Sequence, residues 1–227
     1  MGCAAKKVVE EKVPYWTGKF PVMVIAHRGF SGAAPENTLT AFQKAIEVGS
    51  DMIELDVHLS KDGEVVVIHD DSLERTSNGR GKVGDYPLQE LKKFDAGSWF
   101  GPKFSGERIP TLKEVLELTQ GKILVNIEIK DEYLGRYTIE DLVERSLQEV
   151  KRAGMKNQVI FSSFHSSALD RSKERDSCPR TALLYHRPWE SLQEVTGGKN
   201  FSQLNLRKSY LTKDKIASIH QERMKVY

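Results

Sequence analysis

The chain has 227 residues, with 34 Lys plus Arg against 32 Asp plus Glu and a net charge of +2. The length suits one mid-sized domain, and 39% hydrophobic residues can form a core, so a wholly disordered chain is excluded. The balanced charge argues against a nucleic-acid-binding protein, which needs a basic excess on one face. No apolar run reaches the ~20 residues of a membrane span, and no apolar signal region opens the chain. We therefore expect a cytoplasmic protein without a transmembrane segment.

Strand and helix patterns alternate along the chain after a charged N-terminal segment, residues 1–20. The first apolar run, Val22–Ala26, is typical of a strand buried on both faces. The next segment predicts a helix with Asn37 as its N-cap and an end at Gly49. Further strands are predicted at Met52–Leu59, Val65–Ile68, Ile123–Ile129, Val159–Phe161, Thr181–Tyr185, Gln203–Leu206 and Lys225–Tyr227. Further helices are predicted at Ile139–Ala153 and Lys213–Arg223.

This alternation predicts an α/β fold, in which residues 21–227 form a TIM-like (βα)8 barrel with right-handed crossovers. Eight strands favour a closed barrel over an open doubly wound sheet, and no glycine-rich nucleotide-binding loop follows a strand. One long irregular stretch, at about residues 71–110 after the third strand, is rich in Gly, Ser, Asp and Lys. Because so long a connection is usually functional, we expect a small insertion over one end of the barrel.

Two of the predicted strands carry polar residues at every second position. One strand has Glu54, Asp56 and His58 on one face, and the other has Asn126, Glu128 and Lys130. The outer face of a parallel barrel packs on helices, so these polar sets are expected to point inward. Three converging carboxylates repel one another unless a divalent cation with oxygen ligands neutralises them. A solvated strand face is the alternative that alternation alone leaves open.

Two histidines stand at predicted strand ends. His27 ends the first strand, directly before Arg28, and His69 ends the third, directly before Asp70. In a βα barrel the carboxyl ends of the strands form the mouth of the active site. Acids, basic groups and two imidazoles at that mouth match a phosphoryl-transfer site, where one imidazole takes a proton and the other donates one. A lone strand-end histidine is more often structural, but the clustered acids favour catalysis here.

Five short segments resemble the glycerophosphodiester phosphodiesterase family in order and spacing. They are Ala26–Gly29, Pro35–Thr38, Glu54–Val57, Val67–Asp70 and Asn126–Lys130. The resemblance covers residues 22–227 and implies a TIM-like barrel with an insertion after His69. It also implies metal-dependent hydrolysis of glycerophosphodiesters, such as glycerophosphocholine or glycerophosphoethanolamine, to sn-glycerol 3-phosphate and an alcohol. The partner it implies is thus a small-molecule phosphodiester.

The resemblance also implies a set of site residues. The metal ligands, for Ca²⁺ or Mg²⁺, are Glu54, Asp56 and Glu128. The general base and acid, in either order, are His27 and His69. The phosphate-binding residues are Arg28 and Lys130. Glu36 is expected to orient Arg28 or a histidine, whereas the helix-cap role predicted for Asn37 is sufficient to explain that residue.

The resemblance departs from the family pattern at one end. Family members continue the last strand and add a final helix, whereas this chain stops at Tyr227, so the barrel is expected to have a truncated last strand and final helix. Two alternatives stay open. One is a phospholipase D acting on lysophospholipid or sphingomyelin, which uses a similar barrel, and the other is a non-catalytic phosphodiester- or metal-binding barrel. The oligomeric state, a homodimer included, is not determined by the residues.

Overall fold

The computed structural model describes residues 22–130, 132–175 and 180–227, so the predicted N-terminal segment, residues 1–20, lies outside the described residues. The strands are β1 Ile25–Ala26, β2 Met52–Leu59, β3 Val65–Val67, β4 Leu124–Ile129, β5 Val159–Ser163, β6 Arg180–Tyr185, β7 Gln203–Leu206 and β8 Lys225–Val226. The helices are α1 Leu39–Glu47, α2 Leu88–Leu91, α3 Leu112–Thr119, α4 Ile139–Arg152, α5 Ser166–Arg175, α6 Leu192–Thr196 and α7 Lys213–Gln221. In the described ranges no helix is both long and apolar enough to cross a bilayer.

The strands form one curled sheet in the order β1-β2-β4-β5-β6-β7-β8, and every neighbouring pair in this path is parallel. This confirms the predicted α/β barrel class. The strand predicted at Val65–Ile68 differs, since β3 pairs antiparallel with β2 and lies off the path. The connection at residues 60–64 is too short for a parallel crossover, which needs a dozen or more residues, so the chain forms a hairpin. Among the described residues, no ladder joins β8 to β1.

Alternate side chains of the parallel strands belong to two different apolar clusters. Leu55 of β2 and Ile127 of β4 are fully or almost fully buried in the large cluster that includes Phe42, Leu116 and Leu142 of the helices. A separate small cluster holds residues from the alternate positions of the strands, namely Met52, Ile160 and Ala182. The first set therefore faces outward and the second faces the barrel interior. Polar residues further along the inward face consequently lie above an apolar floor.

Helix α1 begins one residue later than the sequence predicts. Its N-cap is Thr38, whose Oγ1 accepts a hydrogen bond from the Ala41 amide at 3.2 Å, so the prediction of Asn37 as the cap is wrong. Asn37 instead adopts a left-handed conformation with φ of 55°, which Asn tolerates better than most residues. This conformation places its amide group beside the strand β2 carboxylates.

The stretch at residues 71–110 has short helical segments and its own apolar cluster, which includes Leu73, Val83 and Leu91. That cluster also contains Val66 and Ile68, so strand β3 joins this stretch to the sheet. An isolated bridge between Ser72 and Lys82 closes its first loop. The segment therefore begins immediately beside His69, at the carboxyl end of the barrel strands.

Candidate active site

The three acids predicted as metal ligands lie together. The register pairs Asp56 with Glu128 and sets Glu54 beside Asn126, one inward position nearer the floor. One carboxylate oxygen from each of the three acids lies within 4.8 Å of the others. Glu54 and Asp56 are 6% and 1% exposed, and within the described ranges Glu54 Oε1 and Asp56 Oδ1 have no hydrogen-bond partner.

The electrostatics of this cluster are unfavourable without a counter-charge. Burial, together with the charges of Asp56 and Glu128, holds the pKa of Glu54 well above its ordinary value. Burial and Asp56 likewise raise the pKa of Glu128. Buried oxygens that lack donors and repel one another fit a divalent cation, because hard cations take carboxylate ligands and cancel the repulsion. The three acids can therefore hold a divalent metal.

The loop after β1 aims two side chains at this cluster. His27 Nε2 lies 3.8 Å from Glu54 Oε2, and the Arg28 amide donates to the same oxygen at 3.0 Å. Burial and the neighbouring Arg28 lower the pKa of His27. The loop turns sharply, with Arg28 at φ of 57° and Gly29 at φ of 79°. A Cβ on Gly29 would lie 2.8 Å from the Ala41 backbone of α1, so only glycine allows this approach.

Arg28 is held by carboxylates on two sides. Its Nη1 donates to Glu36 Oε1 at 2.8 Å, and its Nε lies 3.6 Å from Asp56 Oδ2. Burial opposes the ionisation of Glu36, but hydrogen bonds from Arg75 and Arg28 lower its pKa overall. Glu36 therefore contacts Arg28, and the orienting role that the resemblance implies for Glu36 stays a prediction.

His69 lies on the opposite side of the cluster. Its Nδ1 is 2.5 Å from Asp70 Oδ1, so a proton on Nδ1 is donated to that carboxylate and Nε2 is left facing Lys130. Lys130 Nζ lies 3.5 Å from His69 Nε2 and donates to Glu128 Oε1 at 3.1 Å. Burial works against the charge of Lys130, but Glu128, Asp56 and Glu132 raise its pKa, so the ammonium stays protonated.

The structure adds Asn37, Asp70 and Arg75 to the site, and it defines the contact of His58, which the strand alternation placed on the same face as the acids. Asn37 Nδ2 donates to Asp56 Oδ2 at 2.9 Å, and His58, which is fully buried, has Nε2 3.1 Å from the His69 carbonyl. Asp70 contacts His69, and Arg75 contacts both Asp70 and Glu36. Asp70 could have been found from its place directly after a strand-end histidine. Arg75 could not, because its reach back to Glu36 depends on how the irregular segment folds.

A barrel that brings buried carboxylates, two imidazoles, an arginine and a lysine together at the carboxyl ends of its strands defines a phosphoryl-transfer enzyme. The glycerophosphoryl diester phosphodiesterase family model matches residues 27–227. The chain belongs to this family, and it is an enzyme of the phosphoric diester hydrolase class.

Individual relatives agree with the family match. The chain is 48% identical over 172 residues to a glycerophosphodiester phosphodiesterase of Caldanaerobacter subterraneus, covering 74% of this chain and 70% of that protein. It is 35% identical over 205 residues to one of Bacillus altitudinis, covering 88% and 82%. A solved phosphodiesterase of Oleispira antarctica, in complex with the product sn-glycerol-3-phosphate, superposes with a TM-score of 0.82 at 33% identity, covering 90% of this chain and 83% of that one.

Proposed function

We propose that the chain hydrolyses glycerophosphodiesters, such as glycerophosphocholine and glycerophosphoethanolamine, to sn-glycerol 3-phosphate and an alcohol, and that it needs Ca²⁺ or Mg²⁺. The observation that carries the proposal is the set of buried carboxylates between two histidines, in which Glu54 Oε1 and Asp56 Oδ1 accept no hydrogen bond among the described residues. The sn-glycerol-3-phosphate complex of the Oleispira relative supports the same product here. The cytoplasmic location expected from the sequence stays a prediction.

Glu54, Asp56 and Glu128 would hold the cation. Bound there, it would supply positive charge that stabilises the negative charge developing on the phosphate. Arg28 and Lys130 supply further positive charge from two sides of the same cluster, which stabilises the more highly charged phosphorane-like transition state.

His27 and His69 transfer the protons in this proposal. His27 lies at the mouth and its lowered pKa favours the neutral imidazole, so it takes a proton from the attacking water. His69 donates Nδ1–H to Asp70, and this contact fixes the orientation of the ring and directs Nε2 into the site. His69 therefore delivers a proton from Nε2 to the oxygen of the leaving alcohol as the P–O bond breaks.

The test measures sn-glycerol 3-phosphate released from glycerophosphocholine by protein stripped of metal, with and without added Mg²⁺ or Ca²⁺. We expect no turnover after EDTA and full recovery with excess cation, and we expect His27→Ala and His69→Ala to stay inactive with cation present. Chelator-insensitive release contradicts the metal role. Tight cation binding without any turnover would instead support the non-catalytic metal-binding barrel.

A phospholipase D acting on lysophospholipid or sphingomyelin is a second candidate, because the mouth carries exposed aromatic side chains. Phe30, three residues after His27, is 38% exposed, and Phe164, directly after β5, is 46% exposed. Exposed apolar groups beside a polar site suit a substrate with an acyl chain. Competition between lysophosphatidylcholine and glycerophosphocholine decides the matter, since the first proposal predicts a higher kcat/KM for glycerophosphocholine.

A further inference from the structure

Arg75, in the irregular segment after His69, makes two pairs of contacts that lie outside the predicted site. Its Nη1 and Nη2 donate to the two oxygens of Glu36 at 2.9 and 2.8 Å. Its Nε and Nη2 donate to Asp70 Oδ2 and Oδ1 at 2.5 and 3.0 Å. One guanidinium thus contacts two carboxylates that come from different segments, 39 and five residues away in sequence.

Each of those carboxylates has a second partner in the site. Glu36 accepts from Arg28 Nη1 at 2.8 Å, and Asp70 lies 2.5 Å from His69 Nδ1. The contacts therefore form a continuous chain from Arg28, through Glu36, Arg75 and Asp70, to His69. This chain connects the phosphate-binding arginine on one side of the acidic cluster with the proposed proton donor on the other.

We propose that Arg75 is a positioning residue, which sets the orientation of the His69 imidazole through Asp70 and of the Arg28 guanidinium through Glu36. The inference rests on the proposed roles of His69 and Arg28. The planar fork of arginine suits this task, because it donates in two directions with fixed geometry, whereas the ammonium of lysine is a point charge without that geometry.

The exposure of the Arg75 side chain indicates that its contacts orient the site residues more than they stabilise the fold. The Arg75 side chain is 43% exposed, and exposed ion pairs contribute little to stability. The hydrogen bonds from Arg75 also lower the pKa of Asp70, which keeps it a carboxylate able to accept from His69. Without Arg75, both Asp70 and Glu36 would keep only their contacts to His69 and Arg28, and their side chains would gain rotamer freedom.

The contacts of Arg75 with Asp70 and with Glu36 should have separable kinetic effects. Asp70→Asn should lower kcat by about 10-fold or more, since it acts on the proton donor, and should leave KM nearly unchanged. Glu36→Gln should mainly raise KM, since it releases the phosphate-binding Arg28. Arg75→Ala should do both, with a fall in kcat/KM of about 10–100-fold. Arg75→Lys should recover part of the loss because it retains the charge.

The decisive experiment is a double-mutant cycle on the metal-loaded full chain, with glycerophosphocholine as substrate. We expect Asp70→Asn/Arg75→Ala to have the kcat of Asp70→Asn alone, and added guanidinium ion at millimolar concentration to restore part of the Arg75→Ala activity. Arg80→Ala is the matched control, because Arg80 is an exposed arginine of the same segment; it should keep wild-type kinetics. Additive losses of kcat in the cycle, or Arg75→Ala with the kinetics of Arg80→Ala, overturn the inference.

His69→Ala, measured in parallel, separates this inference from the proposed function. If His69→Ala is inactive while Arg75→Ala is normal, the positioning role fails and the catalytic role of His69 stands. If His69→Ala retains activity, the proposed mechanism itself fails. If Arg75→Ala does not fold, Arg75→Lys replaces it, because lysine preserves the charge and most of the volume. Unaltered kcat and KM in Arg75→Lys would contradict a requirement for the guanidinium fork.

Discussion

The two halves of the sheet differ in what they present to the barrel interior. Strands β2 and β4 present charged residues, with Asp56 and Glu128 side by side. The register continues from Glu128 to Ser162 of β5, Ala182 of β6 and Gln203 of β7, which are uncharged, and it ends at a basic residue, Lys225 of β8. The carboxylates of this row therefore lie on β2 and β4, and β5 to β8 contribute none to it.

The two halves also differ in their backbone conformation. Positive φ at non-glycine residues, which costs conformational free energy, occurs at Arg28 and Asn37 beside the charged strands. In the second half, the described residue with this feature is Arg223, at the turn before β8. Strain in the first half places the Arg28 backbone amide against Glu54 and the Asn37 side chain against Asp56, so it has a functional explanation.

The largest expected effect tests whether the chemistry is confined to the first half. His69→Ala should lower kcat about 10²–10⁴-fold with the fold intact, because it removes the proposed proton donor. Ser162→Ala, a buried change in register with Glu128 on the second half, should leave kcat close to wild type. Steady-state release of sn-glycerol 3-phosphate measures both. A comparable loss in the Ser162 variant would break the division between the halves.

The next prediction concerns the acids. Glu54→Gln should abolish the stabilisation of the folded state by Mg²⁺ or Ca²⁺, which for wild type should reach about 2.7 kcal/mol at a cation concentration 100 times Kd. Without metal, the same variant should melt at a higher temperature than wild type at pH 8, because a neutral amide relieves the repulsion among buried carboxylates. Thermal unfolding with and without cation measures both effects. A metal response unchanged from wild type would exclude Glu54 as a ligand.

The pH dependence of metal-free stability follows from the raised pKa of Glu54. An unfolded Glu54 titrates near 4.5, whereas the folded pKa is well above that value, so its favourable contribution is complete below pH 4.5 and is lost as the pH rises through the folded pKa. The difference in stability between metal-free wild type and Glu54→Gln should therefore widen from pH 5 to pH 8. Urea unfolding at each pH measures it, and a constant difference would contradict the shift.

The smallest expected effects separate two neighbours at the start of α1. Thr38→Ala removes the N-cap and should cost about 1 kcal/mol of stability with kcat unchanged. Asn37→Gly keeps the left-handed backbone but removes the hydrogen bond to Asp56, so it should lower kcat with little effect on Tm. Urea unfolding and turnover on the two variants give the comparison. A loss of stability in Asn37→Gly, with a loss of kcat in Thr38→Ala, would instead identify Asn37 as the N-cap.

The sequence predicted the alternating elements and the acidic cluster because both depend on local periodicity. A period of two along β2 and β4 is enough to place Glu54, Asp56 and Glu128 on one face. The antiparallel course of β3 was missed because the apolar pattern of a strand does not indicate its direction. The short connection at residues 60–64 does, since it excludes a parallel crossover. The contacts of Asn37 and Arg75 were missed because a backbone conformation and a long irregular segment determine them, and neither leaves a periodic signal.

The central claim is that Glu54, Asp56 and Glu128 form a divalent metal site required for phosphodiester hydrolysis. Crystals grown with Mn²⁺, which accepts the same oxygen ligands and scatters anomalously, test it most directly. We predict one strong anomalous peak in contact with all three carboxylates, in crystals of protein that Mn²⁺ activates. Activation by Mn²⁺ with a peak elsewhere, and none between these three side chains, would contradict the account.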